Sequence, residues 1–426
     1  MGRQPFGLAS PAAWLRADGH AVTTADLSVE PPPLDALRAA DWIAFHLPMH
    51  TATRLAIPQI EAARLLNPQA RICCYGLYAP VNEEMLRSRG VSHIIGGEFE
   101  LALAGLIGGR SDPPPAITLD RLKFLTPDRT TLPVLSNYAA LIHRGTRKTA
   151  GYTEASRGCK HLCRHCPIVP VYEGRFRVVQ RDIVLADIRQ QVAAGAQHIT
   201  FGDPDFFNGP GHAVAIVEAL HAEFPDVTYD VTIKIEHLLK ERAALAVLAR
   251  TGCSFITSAV ESVEDAVLTR LDKGHTRADF ETALALTRAH GLNMIPTFVA
   301  FTPWTSREGY QELIRAIRDL DLIGNVAPIQ LAIRLLIPAG SKLLELPDLN
   351  TSAFDPEALV WRWQHPDPEM DRLALDVRNL VSAGERRGAT RSELFAAIWT
   401  RSFGEFPDFH LTARAAIPYL TEPWFC

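Results

Sequence analysis

The hydrophobic and polar positions of the first hundred residues alternate between the two-residue period of strands and the wider period of helices. From residue 11 to residue 107, short apolar runs rich in Val, Ile and aromatic residues alternate with amphipathic stretches. This βα order predicts a mostly parallel, doubly wound sheet. We expect strands at 20–27, 41–47, 70–76 and 91–97, and helices at 11–19, 34–40, 57–66 and 82–87.

After a poorly periodic connector, the pattern becomes regular again from about residue 149. Six strand-helix repeats predict an incomplete barrel, whose site would lie at the carboxyl ends of the strands. The predicted strands are 151–156, 197–201, 228–235, 254–260, 293–300 and 329–336. The predicted helices are 181–194, 211–222, 240–250, 263–271, 277–290 and 306–319.

These patterns divide the chain into four parts of an α/β protein. Residues 1–115 form a Rossmann-like domain, 116–148 a connector, 149–345 a partial (β/α)6 barrel, and 346–426 a small, mainly helical C-terminal region. The first domain opens with a loop and a helix where such a domain normally opens with a core strand. We therefore expect that strand to be encoded upstream, and an upstream stop codon would contradict this.

Composition narrows the classes of function that the chain fits. With 426 residues, 47% hydrophobic and 21% charged, it resembles an ordinary globular protein, and its net charge of −5 does not favour a nucleic-acid partner. No uninterrupted apolar run of about 18 residues predicts a membrane span. Seven cysteines are too few for a disulfide framework and fit a reducing cytoplasm, where thiolates stay available.

The candidate chemistry centres on Cys159, Cys163 and Cys166, which follow a predicted strand with the spacing Cys-x3-Cys-x2-Cys. Thiolates at this spacing can converge on one iron–sulfur cluster or one soft metal ion. No fourth cysteine follows in the segment, so a cluster held here keeps one iron open. Two alternatives remain: a zinc site with His161 or His165 as fourth ligand, and cysteines that merely lie close together.

This motif resembles the radical S-adenosylmethionine (radical SAM) superfamily, in which the open iron of a [4Fe-4S] cluster chelates the amino and carboxylate groups of SAM. A preceding Rossmann-like domain is similar to the cobalamin-binding class of that superfamily. The Asp-x-His-x-x-Gly signature, whose histidine ligates cobalt, is absent. The resemblance implies either cobalamin bound without a histidine ligand, or a domain that keeps the fold without the cofactor. His46 and His50 could line a crevice there or be ordinary loop histidines.

The same resemblance suggests residues that bind SAM. Gly202, Asp203 and Asp205 follow the second barrel strand, where the family carries a glycine- and glutamate-containing segment that holds the SAM amino group. A solvated turn is the alternative. Glu261 ends the fourth strand and would contact the ribose or the methionine moiety, or would only cap the next helix.

Two further positions complete the predicted cofactor site. Pro296 lies in the fifth strand, whose backbone contacts adenine in the family. Arg334 is a charge within an apolar run, so it should have an anionic partner. That partner is either a carboxylate of SAM or substrate, or a structural salt bridge.

The chain ends on Cys426 after an apolar and aromatic segment. This ending, with the core motifs, is similar to radical SAM proteins named for a CUAEP or CCAEP tail, where the cysteine precedes a selenocysteine or a second cysteine. The resemblance implies that Cys426 is catalytic and binds a soft element such as arsenic or captures an intermediate. A frayed tail is the alternative. The codons after 426 test this: UGA followed by Ala-Glu-Pro is expected.

The predicted function is a radical SAM enzyme that acts on a small molecule and takes electrons from a flavodoxin or ferredoxin. One candidate reaction transfers a 3-amino-3-carboxypropyl group to an arsenical, as the resemblance suggests. The alternative is a cobalamin-dependent radical SAM methyltransferase. A non-catalytic metal-binding or sensor protein is the candidate from another class.

Overall fold

The computed structural model describes residues 2–109, 114–407 and 417–421. Two sheets with parallel strands organise these residues, and helices cover both sheets. No helix within the described ranges combines the length and apolarity that a membrane span requires.

The N-terminal sheet has four parallel strands in chain order, and helices pack on both of its faces, as expected for a Rossmann-like first domain. Its second strand, Arg71–Tyr75, has apolar residues on both faces, because Cys74 packs into one hydrophobic cluster and Cys73 into another. The strands are Trp42–His46, Arg71–Tyr75, His93–Gly97 and Ile117–Thr118. The helices are Phe6–Ala17, Leu34–Ala39, His50–Leu66, Tyr78–Val81, Glu83–Ser88 and Phe99–Ile107.

The predicted strand at 20–27 is wrong. These residues have no strand partner and stay partly or fully exposed. Side chains hold the segment instead: Arg16 donates to the Val22 carbonyl, and the hydroxyls of Thr24 and Thr131 share a hydrogen bond. High strand propensity without a sheet face to pack against does not produce a strand.

The larger sheet, called the barrel sheet below, contains five parallel strands. Two antiparallel strands, Ala140–His143 and Tyr419–Leu420, extend one edge. The parallel strands are Thr146–Thr153, His198–Phe201, Thr228–Thr232, Cys253–Glu261 and Met294–Phe298. The helices that follow them are Arg181–Ala193, Pro210–Glu223, Ile235–Lys240, Arg242–Arg250, Asp265–Leu271, Arg277–Ala289 and Arg307–Asp319.

The predicted sixth barrel strand is also wrong, since Pro328–Ala332 forms a 3₁₀-helix. Side chains replace the missing ladder: Gln330 accepts from the Phe298 N–H at 3.1 Å, and Tyr310 donates to the Leu331 carbonyl at 3.0 Å. One isolated bridge, between Phe301 and Arg334, continues the barrel sheet.

The concave face of the barrel sheet is open. In Cys253–Glu261 and Met294–Phe298, alternate residues are buried against the helices, while Thr257, Ile295 and Thr297 between them stay partly exposed. The C-terminal helices Pro368–Arg386 and Arg391–Phe403 pack on the far side of the same hydrophobic core. The concave face is therefore available for a ligand.

Candidate functional site

The three cysteines lie on one loop that follows the short strand Ser156–Gly158. The Cys166 N–H donates to the Cys163 carbonyl at 3.0 Å, which closes a turn around these two residues. In addition to burial, Cys163 and Cys159 both raise the pKa of the Cys166 thiol, which places the three cysteines near one another.

Burial raises the pKa of Cys159 to about 11 and the pKa of Cys166 to about 12. The backbone N–H groups of His161 and Ile168 point at these two sulfurs and act in the opposite direction, since they stabilise a thiolate. Metal binding must therefore displace protons from these thiols, and the N–H donors needed by the bound thiolates are already in place.

The spacing of the candidate ligands bears on the choice between a cluster and a single zinc ion. Among the described residues, the one set of three candidate ligands with all donor atoms within 4.8 Å of one another is Cys159, His161 and Asp205. The three cysteines do not form such a set, whereas His161, a candidate zinc ligand, forms one with Cys159. Tetrahedral zinc would need its sulfurs about 3.8 Å apart, given Zn–S bonds of about 2.3 Å. Thiolates that bind separate irons of one cluster fit the wider spacing.

The two histidines considered as zinc ligands lie on opposite sides of the cysteine loop. His161 Nε2 lies 3.4 Å from Asp205 Oδ2, and His161 Nδ1 lies 3.4 Å from Glu236 Oε2. His165 Nε2 instead lies 3.1 Å from Glu261 Oε1. Each histidine thus has a carboxylate neighbour of its own.

The structure places Gly202, Asp203 and Asp205 beside the cysteine loop. A Cβ on Gly202 would overlap the Tyr152 ring, so this position requires glycine. Asp203 accepts from the Ala155 N–H at 2.9 Å and the Ser156 hydroxyl at 2.6 Å, and burial raises its pKa to about 7. Its carboxyl group therefore holds the chain that leads into the cysteines.

Asp205 has different surroundings. Burial alone would raise its pKa, but hydrogen bonds from His161 and His237 lower it to about 2. The His237 contact is the shorter one, at 2.6 Å between Nδ1 and Oδ2. The predicted SAM contacts of Gly202, Asp203 and Asp205 remain predictions.

Glu261 ends the fourth barrel strand with a positive φ of 70°, which is uncommon for a residue other than glycine, and the strand register shifts there. Its Oε1 accepts from His165 at 3.1 Å and from Lys273 at 3.4 Å. Burial would raise the pKa of Glu261, but the Lys273 charge and the His165 hydrogen bond lower it to about 2. An ionised carboxylate therefore lies beside the loop that carries Cys166.

Two of the remaining predicted residues have partners within the barrel and the C-terminal region, and the third lies outside the described ranges. Pro296 is buried in the fifth strand opposite Ser258, on the helix-facing side. Arg334 pairs with Asp371 at 2.6 Å and stacks 4.1 Å above the Trp363 ring, which is the salt-bridge alternative. Cys426 lies outside the residues that the structure describes.

Sequence reasoning missed Arg157, which joins the N-terminal domain to the cysteine loop. Its guanidinium donates to Glu100 at 2.6 and 2.9 Å and to Glu154 at 2.7 Å, and Glu98 lies 3.6 Å away. The side chain is 8% exposed. The position of Arg157 directly before Gly158 could have indicated a role in holding the cysteine loop. No local sequence pattern, however, pairs Arg157 with acids almost sixty residues earlier.

The comparisons with known proteins agree with this geometry. Residues 153–320 match the radical SAM superfamily. Curated relatives include tRNA-2-methylthio-N(6)-dimethylallyladenosine synthases. The Chlorobaculum tepidum enzyme is 25% identical over 207 residues, which cover 47% of this chain and 44% of the enzyme. The Porphyromonas gingivalis enzyme is 26% identical over 210 residues, which cover 46% of this chain and 42% of the enzyme. The chain thus spans less than half the length of these relatives.

Solved structures extend the similarity to the N-terminal domain. The cobalamin-dependent S-adenosylmethionine radical enzyme OxsB with aqua-cobalamin bound has a TM-score of 0.69 at 15% identity, covering 90% of this chain and 65% of OxsB. The radical S-adenosylmethionine methyltransferase TsrM from Kitasatospora setae has a TM-score of 0.59 at 16% identity, covering 75% of this chain and 69% of TsrM. At these identities the likeness shows the fold. The family match places the similarity to the radical SAM superfamily in residues 153–320, which contain the cysteine loop.

Proposed function

We propose that the chain is an enzyme that cleaves SAM reductively and applies radical chemistry to a small molecule held against the concave face of the barrel sheet. The observation that carries the proposal is the loop of Cys159, Cys163 and Cys166, which lies within the residues that match the radical SAM superfamily. A bound [4Fe-4S] cluster supplies an electron and an open iron for the amino and carboxylate groups of SAM.

The chain's own residues would bind and orient the reactants. Glu261, ionised at neutral pH, is placed to accept hydrogen bonds from SAM. The Lys234 and Lys273 ammonium groups are buried near the cysteines and favour the negative charge of the thiolates. Thr257 and Thr297, on the open concave face, offer hydroxyls to a polar substrate.

Anaerobic reconstitution with iron and sulfide tests the proposal. We expect brown protein with about four irons per chain, and loss of that iron in Cys159→Ala. Cys73→Ala, which removes a buried thiol of the N-terminal sheet, is the matched control and should keep its iron. Colourless protein with about one zinc per chain would support a sensor instead.

Product analysis after reduction in the presence of SAM identifies the reaction. Hydrogen abstraction gives 5′-deoxyadenosine, methyl transfer gives S-adenosylhomocysteine, and transfer of the 3-amino-3-carboxypropyl group gives 5′-methylthioadenosine. The assay needs a low-potential electron donor of the flavodoxin or ferredoxin type. Transfer to an arsenical is supported by the tail ending on Cys426 alone, so we place it after methyl transfer.

Methyl transfer with cobalamin is supported by the likeness to OxsB and TsrM, and the packing of His46 bears on whether the N-terminal domain fits that cofactor. A Cβ on Gly7 would overlap the His46 ring, and another on Gly76 would lie 3.0 Å from it, so His46 packs between two backbone segments. Burial and the Arg157 charge lower the pKa of His46 to about 3. In this packing His46 does not fit a ligand to cobalt, so a cobalamin held by this domain would bind without it.

A further inference from the structure

Asn208 forms hydrogen bonds with the backbone on both sides of Cys159. It ends the 3₁₀-helix Phe206–Asn208 and is fully buried. Its Oδ1 accepts from the Lys160 N–H at 3.1 Å, and its Nδ2 donates to the Gly158 carbonyl at 3.2 Å. One side chain therefore satisfies two buried or half-buried backbone groups that flank the first cysteine.

A third hydrogen bond fixes the cysteine itself. The Cys159 N–H donates to the Arg175 carbonyl at 3.1 Å. Gly158 adopts a φ of +74°, and a Cβ there would overlap the Tyr172 ring. The backbone of Gly158, Cys159 and Lys160 is thus held by partners outside the loop. The position of the Cys159 sulfur then depends mainly on rotation about the side-chain bond of Cys159.

The other two cysteines do not depend on Asn208. Cys163 and Cys166 are joined by their own turn, and the Arg164 N–H between them donates to the Leu271 carbonyl at 2.9 Å. The loop therefore has two separate attachments: one at Cys159 through Asn208, and one at the later pair through Leu271.

We propose that Asn208 is a positioning residue that sets the Cys159 sulfur for cluster binding. The inference rests on the proposed function. By holding the Lys160 amide, Asn208 also orients the next amide, that of His161, toward the Cys159 sulfur. Groups that orient metal ligands typically change metal affinity by about 10–100-fold when removed.

The test compares Asn208→Ala and Asn208→Asp with Asn325→Ala after anaerobic reconstitution. Asn325 is an equally buried control, because its side chain donates to the Met294 carbonyl at 2.7 Å and does not bind the cysteine loop. Asn208→Asp keeps an acceptor for Lys160 but loses the donor to Gly158, so it separates the two bonds and is the variant closest in shape to the parent.

We expect iron loss to a chelator to be about tenfold faster in Asn208→Ala than in the parent, with an intermediate rate in Asn208→Asp. The electron paramagnetic resonance spectrum of the reduced cluster should change in both variants and stay unchanged in Asn325→Ala. A parent-like spectrum and rate of iron loss in folded Asn208→Asp and Asn208→Ala would overturn the inference while leaving the proposed function intact. A parent chain that holds no cluster would overturn both.

Discussion

Two buried carboxyl groups near the cysteine loop have opposite electrostatic surroundings. Asp203 has only neutral hydrogen-bond donors, Ala155 and Ser156, so burial dominates and its pKa rises to about 7. Glu261 has the cation Lys273 as a partner, and its pKa falls to about 2. The sequence indicated acids at these strand ends, but the sign of each shift depends on partners that only the fold brings together.

Glu261→Gln should destabilise the cluster-free chain by about 3 kcal/mol at neutral pH, because it leaves the buried Lys273 without its carboxylate. The parent has this stabilisation above the ordinary glutamate pKa of 4.5 and loses it as the pH falls toward 2. Urea unfolding at pH 7 and pH 4 should therefore show the difference narrowing in acid. Glu345→Gln, which breaks the exposed pair with Lys342, is the control and should have no measurable effect. An equal loss in both variants would contradict the prediction.

At the level of elements, the periodic strands and helices of both sheets were predictable from the sequence, and the exceptions have a common cause. Residues 20–27 and 329–336 have strand-like composition, but hydrogen bonds that involve side chains replace those that a backbone ladder would make. Gln330, for example, replaces a strand partner for Phe298. Each such hydrogen bond depends on a single residue, so it does not change the hydrophobic periodicity from which strands are predicted.

Arg334 lies at the end of this irregular segment, and its contacts predict a structural role. Its guanidinium links the barrel sheet to the helix Pro368–Arg386 through Asp371, and both side chains are about one-third exposed. Arg334→Ala should therefore cost only about 1 kcal/mol of stability and leave SAM affinity within about twofold of the parent. Calorimetric titration of the reconstituted protein with SAM measures this. A tenfold weaker affinity would instead support the predicted cofactor contact.

For the whole molecule, Arg157, two residues before Cys159, connects the N-terminal domain to the cysteine loop. Its single positive charge has three carboxylate neighbours, Glu98, Glu100 and Glu154. These three carboxylates are not equivalent. Glu100 receives two short hydrogen bonds from Arg157 and one from Ser10. Glu98 lies farther from Arg157, and burial raises its pKa to about 7 despite the cation. The cluster around Arg157 therefore contains one well-paired acid, Glu100, and one acid that is costly to ionise, Glu98.

This difference predicts opposite effects for two neighbouring substitutions. Because burial raises the pKa of Glu98 from 4.5 to about 7, the contribution of Glu98 to stability is fully present below pH 4.5 and is lost as the pH rises through 7. Glutamine cannot ionise, so the Glu98→Gln variant does not lose this stability. The free energy of unfolding of the variant, relative to that of the parent, should increase by about 1–3 kcal/mol between pH 5 and pH 8.

Glu100→Gln is the matched comparison on the same arginine. It should destabilise the chain at both pH values, since a buried guanidinium loses its best partner. Urea unfolding of the cluster-free proteins measures all of these differences without any contribution from iron. If Glu98→Gln and Glu100→Gln destabilised the chain equally at pH 8, the two acids would be equivalent, and the cluster around Arg157 would be an ordinary buried ion pair between the domain and the cysteine loop.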